Sequence, residues 1–253
     1  MSLAVCSKQH RWLHRANKGA VLREAIASGD SCDAIEVDLS HVRGKVQLAH
    51  GKDDGGVDTT LSHFLRMLEE SADGFIVKFD FKDTRSVTEG VVLIASSSIS
   101  QHHTVICSID GLQGPAGGPA LVMCARCFEA LVNEHIPSSQ ESIGMTTGWH
   151  VSTLFFSHGY SMQQARALAA MPNATSALRM TILAQTRPDV VSALLENRNV
   201  FVWGEVGYFE NAWLASRNTH CIDRDIWGPG WWVVAQYAWL VTVASLCRPP
   251  RGT

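Results

Sequence analysis

Short apolar runs alternate with amphipathic stretches along most of the chain. The runs that read as strands are residues 11–13, 33–39, 74–80, 104–110, 141–145, 175–181, 199–203 and 220–226. The middle ones are β-branched and nearly continuous in apolar character, the pattern of parallel strands covered on both faces. Between them, residues 20–27, 61–69, 121–134, 162–169 and 190–195 place apolar side chains at helical spacing. Eight strands separated by helices predict an α/β fold, a single closed (β/α)8 barrel of the TIM type rather than an open doubly wound sheet. No linker, repeat or shift of composition divides the body, so residues 1–230 are expected to form one barrel domain.

The alternation ends near residue 231. Residues 231–247 are apolar nearly all round, interrupted by Gln236, Tyr237, Thr242 and Ser245 and followed by Arg248 and Arg251. A bilayer span takes about 20 residues, with ~17 as the lower limit. The tail, 231–253, is therefore read as a final helix against the barrel in preference to a membrane anchor or a poorly packed extension. Residues 1–18 hold no apolar run of signal-peptide length, because Lys8, His10, Arg11 and His14 interrupt them. That makes a cytoplasmic location the default.

Composition narrows the function only slightly. A formal net charge of −3 and a pI near 6.4 exclude a basic, non-specific nucleic-acid binder. The seven cysteines are scattered, without the spacing of a disulfide framework. The close pair Cys124 and Cys127 falls in a predicted helix and reads as core thiols, ahead of a redox or disulfide pair or a metal site. Residues 111–119 are rich in Gly and Pro and read as a long loop that matches no phosphate-binding fingerprint.

The chemistry gathers at one end of the predicted strands, where the loops of an α/β barrel converge. His14 ends the first strand and Glu36-Val37-Asp38 closes the second. An extended segment, residues 45–49, ends at His50, and the third strand ends Lys78-Phe79-Asp80-Phe81-Lys82. Asp110, Arg179 and Trp203 stand at later strand ends. Glu36 and Asp38, two apart on a strand, share a face. With Asp80 they could form a three-carboxylate site for one divalent cation, Mg²⁺ in the first instance and Ca²⁺ as the alternative. His14 and His50 could divide base or nucleophile and general-acid roles at a phosphate. Lys78 and Lys82 flank Asp80 at even spacing; each is either a surface charge or a contact for phosphate oxygens. Trp203 is either a core aromatic or a wall for a headgroup. His102 and His103 read as a solvated turn.

These stretches resemble the menorin family, near the phospholipase-C-like phosphodiesterases. The likeness lies in His14-Arg15-Ala16-Asn17, Ile35-Glu36-Val37-Asp38, Leu48-Ala49-His50, Lys78-Phe79-Asp80-Phe81-Lys82, Asp110-Gly111-Leu112-Gln113-Gly114-Pro115, Gly148-Trp149, Leu178-Arg179 and the Trp203 strand. The resemblance implies a metal-assisted phosphodiester site of the kind found in glycerophosphodiester phosphodiesterases and sphingomyelinase D enzymes. It implies His14, His50 and Lys82 in catalysis and Glu36, Asp38 and Asp80 on the metal. Asn17, Lys78, Asp110, Arg179 and Trp203 follow as substrate contacts. A glycerophosphodiester or phospholipid headgroup is the expected substrate. The alternative is a catalytically silent barrel that binds protein partners, extracellular as in secreted relatives.

Overall fold

Strand and helix alternate as β1 (Trp12–Leu13), α1 (Gly19–Ser28), β2 (Ala34–Val42), β3 (Lys45–Leu48), α2 (Leu61–Glu69), β4 (Ile76–Phe81), α3 (Thr84–Ala95), β5 (Thr104–Leu112), α4 (Ala125–His135), β6 (Ile143–Trp149), α5 (Met162–Ala169), β7 (Thr175–Arg179), α6 (Pro188–Leu195), β8 (Val200–Trp203) and β9 (Cys221–Ile222). The structure is a computed structural model that describes residues 12–28, 32–51, 58–71, 74–112, 122–136, 142–149, 159–170, 175–179, 186–195, 200–203 and 221–222. The tail 231–253 lies outside them, as do residues 113–119 of the Gly- and Pro-rich segment.

All the strands except β3 run parallel, in the order β1-β2-β4-β5-β6-β7-β8-β9, each beside its sequence neighbour in the series. This is the succession a (β/α)8 barrel requires. Among the described residues the path runs from β1 to β9 without a pairing between those two strands. β3 folds back antiparallel on β2 through a tight hairpin, with Arg43 and Gly44 both at positive φ (51° and 79°). That is the backbone of the two-residue turn that glycine and asparagine favour.

The register divides each strand into two faces. Leu13, Ile35, Val37, Leu39, Val77, Phe79, Phe81, Val105, Cys107 and Ile109 form one cluster with the buried sides of the helices. The helices meet it in stripes, as in α2, where Leu61, Phe64, Leu65 and Leu68 recur at helical spacing. Phe64 meets Phe79 edge-on at 6.1 Å, and Phe81 meets Phe128 at 6.2 Å. Burying each such side chain contributes roughly 1.5–3 kcal/mol. α3 crosses β4 at Gly90, where an added Cβ would lie 2.6 Å from the Phe81 ring. The alternate positions face the other way. They bring Glu36 level with Lys78, Ile106 and Gly144, and Asp38 level with Asp80, Ser108 and Thr146.

Several elements depart from the sequence pattern. α3 is not among the stretches singled out by periodicity, because Val87, Thr88, Val91, Val92 and Ile94 read as strand formers. Its start is fixed by a capping box: Asp83 accepts from the Ser86 N–H at 2.9 Å while Ser86 accepts from the Asp83 N–H at 3.3 Å. His103 is buried rather than solvated: its Nδ1 accepts from the Phe75 N–H at 3.1 Å and its Nε2 lies 2.9 Å from the Leu68 carbonyl. Burial lowers its pKa, in keeping with a neutral ring that accepts on one nitrogen and donates on the other. Cys124 and Cys127 are not core thiols: both are exposed and joined by a disulfide at the start of α4. Among the described residues no helix is long and apolar enough to cross a membrane.

Candidate active site

Glu36, Asp38 and Lys78 are only 2%, 0% and 4% exposed, though each carries a charge. Such burial is costly unless the charges are paired, and the pairing is dense. Lys78 Nζ lies 3.1 Å from Glu36 Oε1, and His14 Nδ1 lies 2.5 Å from Glu36 Oε2. Lys82 Nζ bridges Asp38 Oδ1 at 2.9 Å and Asp80 Oδ2 at 2.7 Å. His50 Nδ1 lies 3.2 Å from Asp38 Oδ2.

Local folding brings these groups together. Parallel pairing sets Glu36 beside Lys78 and Asp38 beside Asp80, so two strands supply the charges on one face. Past β1 the chain turns sharply at Arg15, whose φ of 51° is unusual for a side-chain-bearing residue. The Ala16 N–H then donates to the Glu36 carbonyl at 2.8 Å, which holds His14 level with Glu36. Asn17 braces Asp38 twice: its Nδ2 donates to Asp38 Oδ2 at 3.0 Å, and its Oδ1 accepts from the Asp38 N–H at 2.9 Å. At the hairpin's far end the Ala49 N–H donates to the Asp38 carbonyl at 2.9 Å, placing His50 over the same carboxylate.

Opposing effects set the protonation states. Burial pushes the Glu36 carboxyl up, but the Lys78 ammonium and the His14 ring outweigh it and hold the group well below the usual carboxylate range. Burial likewise raises Asp38, and His50, Lys82 and Asn17 more than reverse it. Burial disfavours the Lys82 ammonium, yet Asp80 and Asp38 raise its pKa above the ordinary lysine value. Both inward carboxylates of β2 are therefore ionised at neutral pH.

The donor set fits a hard divalent cation. Glu36, Asp38 and Asp80 each offer an oxygen within 4.8 Å of the other two. Glu36 Oε2 and Asp38 Oδ1 are buried and accept no hydrogen bond of good geometry among the described residues, although His14 and Lys82 lie close in ionic contact.

His14, His50, Glu36, Asp38, Lys78, Asp80 and Lys82 thus converge, and Asn17 sits among them on Asp38. Asp110 stands near the end of β5, beyond Ser108 on the same face and level with Gly148. Arg179 and Trp203 are register partners at the C-terminal ends of β7 and β8, and their side chains lie outside what is described. Two further residues belong to the neighbourhood. Arg15 Nε lies 3.9 Å from Asp38 Oδ2, and Thr146, in the row of Asp38, Asp80 and Ser108, keeps a buried hydroxyl without a hydrogen-bond partner among the described residues. Strand parity could have found Thr146; no sequence signal aims Arg15 at Asp38.

Fold and site together define a (β/α)8-type α/β protein with a charged site at the C-terminal ends of its first strands. The Menorin N-terminal domain matches residues 7–202, and the chain belongs to the menorin family. Human Protein FAM151B is 28% identical over 170 residues, 65% of this chain and 59% of that protein, so the match spans under two thirds of the relative's length. A glycerophosphodiester phosphodiesterase from Thermotoga maritima superposes with a TM-score of 0.50 at 14% identity, covering 90% of this chain and 97% of its own. Another, from Parabacteroides distasonis, superposes with a TM-score of 0.49 at 11% identity, covering 94% and 99%.

Proposed function

We propose that the protein is a metal-assisted phosphodiesterase acting on a glycerophosphodiester or a phospholipid headgroup. One observation carries the reading: three carboxylates within 4.8 Å of one another, two of them in contact with histidines placed at the same strand ends. Glu36, Asp38 and Asp80 would hold the cation, Mg²⁺ or Ca²⁺, which when bound supplies positive charge to the phosphate's non-bridging oxygens.

The chain's own residues take the remaining roles. His14 and His50 each turn Nδ1 toward a carboxylate. That contact orients the ring and leaves Nε2 as the atom that exchanges a proton or attacks. His14 serves as base or nucleophile, and His50 protonates the leaving oxygen. Lys82, on the substrate's arrival, turns from Asp38 and Asp80 to a phosphate oxygen. Lys78 holds Glu36 in place, while Asp110, Arg179 and Trp203 would contact the headgroup. We take residues 1–230 as this catalytic unit.

The competing reading is a silent barrel serving protein partners, and a specific feature favours it. Lys78 and Lys82 already pair with the three carboxylates, so the cluster needs no cation to be stable. The two readings separate in a panel of glycerophosphodiesters and choline or ethanolamine phospholipids, assayed with Mg²⁺, with Ca²⁺ and with chelator. Turnover that needs the cation and is lost in His50→Ala, with circular dichroism unchanged, is the expected result. No turnover on any phosphodiester with either cation would establish the silent barrel instead.

A further inference from the structure

Cys124 and Cys127 stand apart from the charged site. Cys124 is the N-cap of α4 and is disulfide-bonded to Cys127 in the helix's first turn. Both are exposed, whereas Cys32 and Cys107 are buried, and burial pushes the Cys107 thiol up to about 12. Two of these four cysteines can therefore meet a dissolved thiol and two cannot.

The turn Cys124-Ala125-Arg126-Cys127 sets both sulfurs at the helix end where backbone N–H groups lack helical partners and the dipole is positive. The Cys127 N–H points at Cys124 Sγ over 3.1 Å. A negative charge on that sulfur, present once the disulfide opens, meets a donor already aimed at it, with Arg126 adding positive charge nearby. A cross-link of so short a loop constrains the unfolded chain less than a long one would. Exposure, spacing and helix position suit exchange better than stapling.

We propose that Cys124–Cys127 is a redox-active pair that exchanges with low-molecular-weight thiols of the glutathione class, Cys124 being the reactive sulfur. A glutathione thiolate attacks Cys124 Sγ, the S–S bond breaks, and Cys127 leaves as a thiolate that takes up a proton. A second glutathione thiolate attacks the glutathione sulfur of the mixed disulfide, releasing the Cys124 thiolate and oxidised glutathione. The protein disulfide gains two electrons and two glutathiones lose one each. The proposal is independent of the phosphodiesterase reading.

The test equilibrates the full chain in glutathione buffers of graded ratio, followed by acid quench, alkylation and tryptic mass spectrometry. Cleavage after Arg126 separates the two cysteines, so their peptides stay joined only while the disulfide exists. The pair should pass from joined to separate in one two-electron step, with Cys107 unlabelled in the folded protein. In Cys127→Ser, oxidised glutathione should modify Cys124 at least roughly tenfold faster than it modifies Cys127 in Cys124→Ser. Alkylation of Cys124 should show a midpoint below the ordinary thiol value of about 8.5. A pair that stays joined in excess reduced glutathione, or stays open in excess oxidised glutathione, overturns the proposal. Equal reactivity of the two single variants removes the role of Cys124.

Discussion

The two faces of β2 and β4 are both largely buried and chemically opposite. Toward the helices stand Ile35, Val37, Leu39, Val77, Phe79 and Phe81; toward the other side stand Glu36, Asp38, Lys78 and Asp80. The apolar face gains free energy by leaving water. The charged face does not: desolvation opposes every charge on it, and hydrophobic replacements of such pairs are often neutral or stabilising. Stability alone thus explains the outer face and leaves the inner one unexplained. The inner charges converge with two histidines, the arrangement on which the proposed phosphodiesterase reading rests.

The comparison breaks first at activity. Glu36→Gln and His50→Ala should each lower phosphodiester turnover by about 10²–10⁴-fold, roughly 3–5 kcal/mol of barrier. Phe79→Ala on the opposite face should instead lower stability by about 3–5 kcal/mol. A urea titration that left Phe79→Ala within about 1 kcal/mol of the parent would remove the structural role given to that face.

A double-mutant cycle sharpens the contrast. Lys78→Met leaves Glu36 short of a partner and should cost about 3–5 kcal/mol, while the Lys78→Met/Glu36→Gln double variant should recover much of it. Strictly additive losses would mean that the 3.1 Å contact carries no coupling.

Stability should also depend on pH, with the sign set by the direction of the shifts. Glu36 and Asp38 are depressed from 4.5 and 3.8, so in that range the unfolded chain binds more protons than the folded one. Their contribution is fully present above those values and is lost as the pH falls through the lower folded ones. Lys82, raised above 10.5, contributes fully below that value and loses its effect only as the pH rises through its folded pKa. In chelator the urea midpoint should stay level through neutral pH and fall below about pH 4, with a shallower acid limb in Glu36→Gln. An equally steep limb in that variant would assign the dependence to other groups. The smallest effect belongs to the hairpin: Arg43→Asn should stabilise by several tenths of a kcal/mol, because asparagine tolerates positive φ better. Thermal denaturation would register it as a small rise in Tm.

Much of this architecture was legible because parallel strands and amphipathic helices write their periods into the sequence. α2 and α5 fall at the residues the periodicity marks, and Glu36, Asp38, Asp80 and Lys82 are readable as strand-end charges of one parity. What stayed hidden depended on neighbours far away in the chain. The β-branched run of α3 gives no clear helical signal until Asp83 is known to cap it, and His103 reads as solvated until Phe75 and Leu68 enclose it. Cys124 and Cys127 looked like core thiols because helical spacing alone does not show which side of α4 faces water. The brace of Asn17 on Asp38 links two separate elements, a relation that spacing along the chain does not encode.

The central claim is that Glu36, Asp38 and Asp80 hold a cation on which phosphodiester cleavage depends. A crystal of the full chain grown with Mn²⁺ in place of Mg²⁺ tests it most directly, through anomalous scattering. The account predicts a peak with an oxygen of each carboxylate within about 2.6 Å, and Lys82 Nζ displaced from its bridge between Asp38 and Asp80. No peak at saturating metal, with that bridge intact, would contradict it.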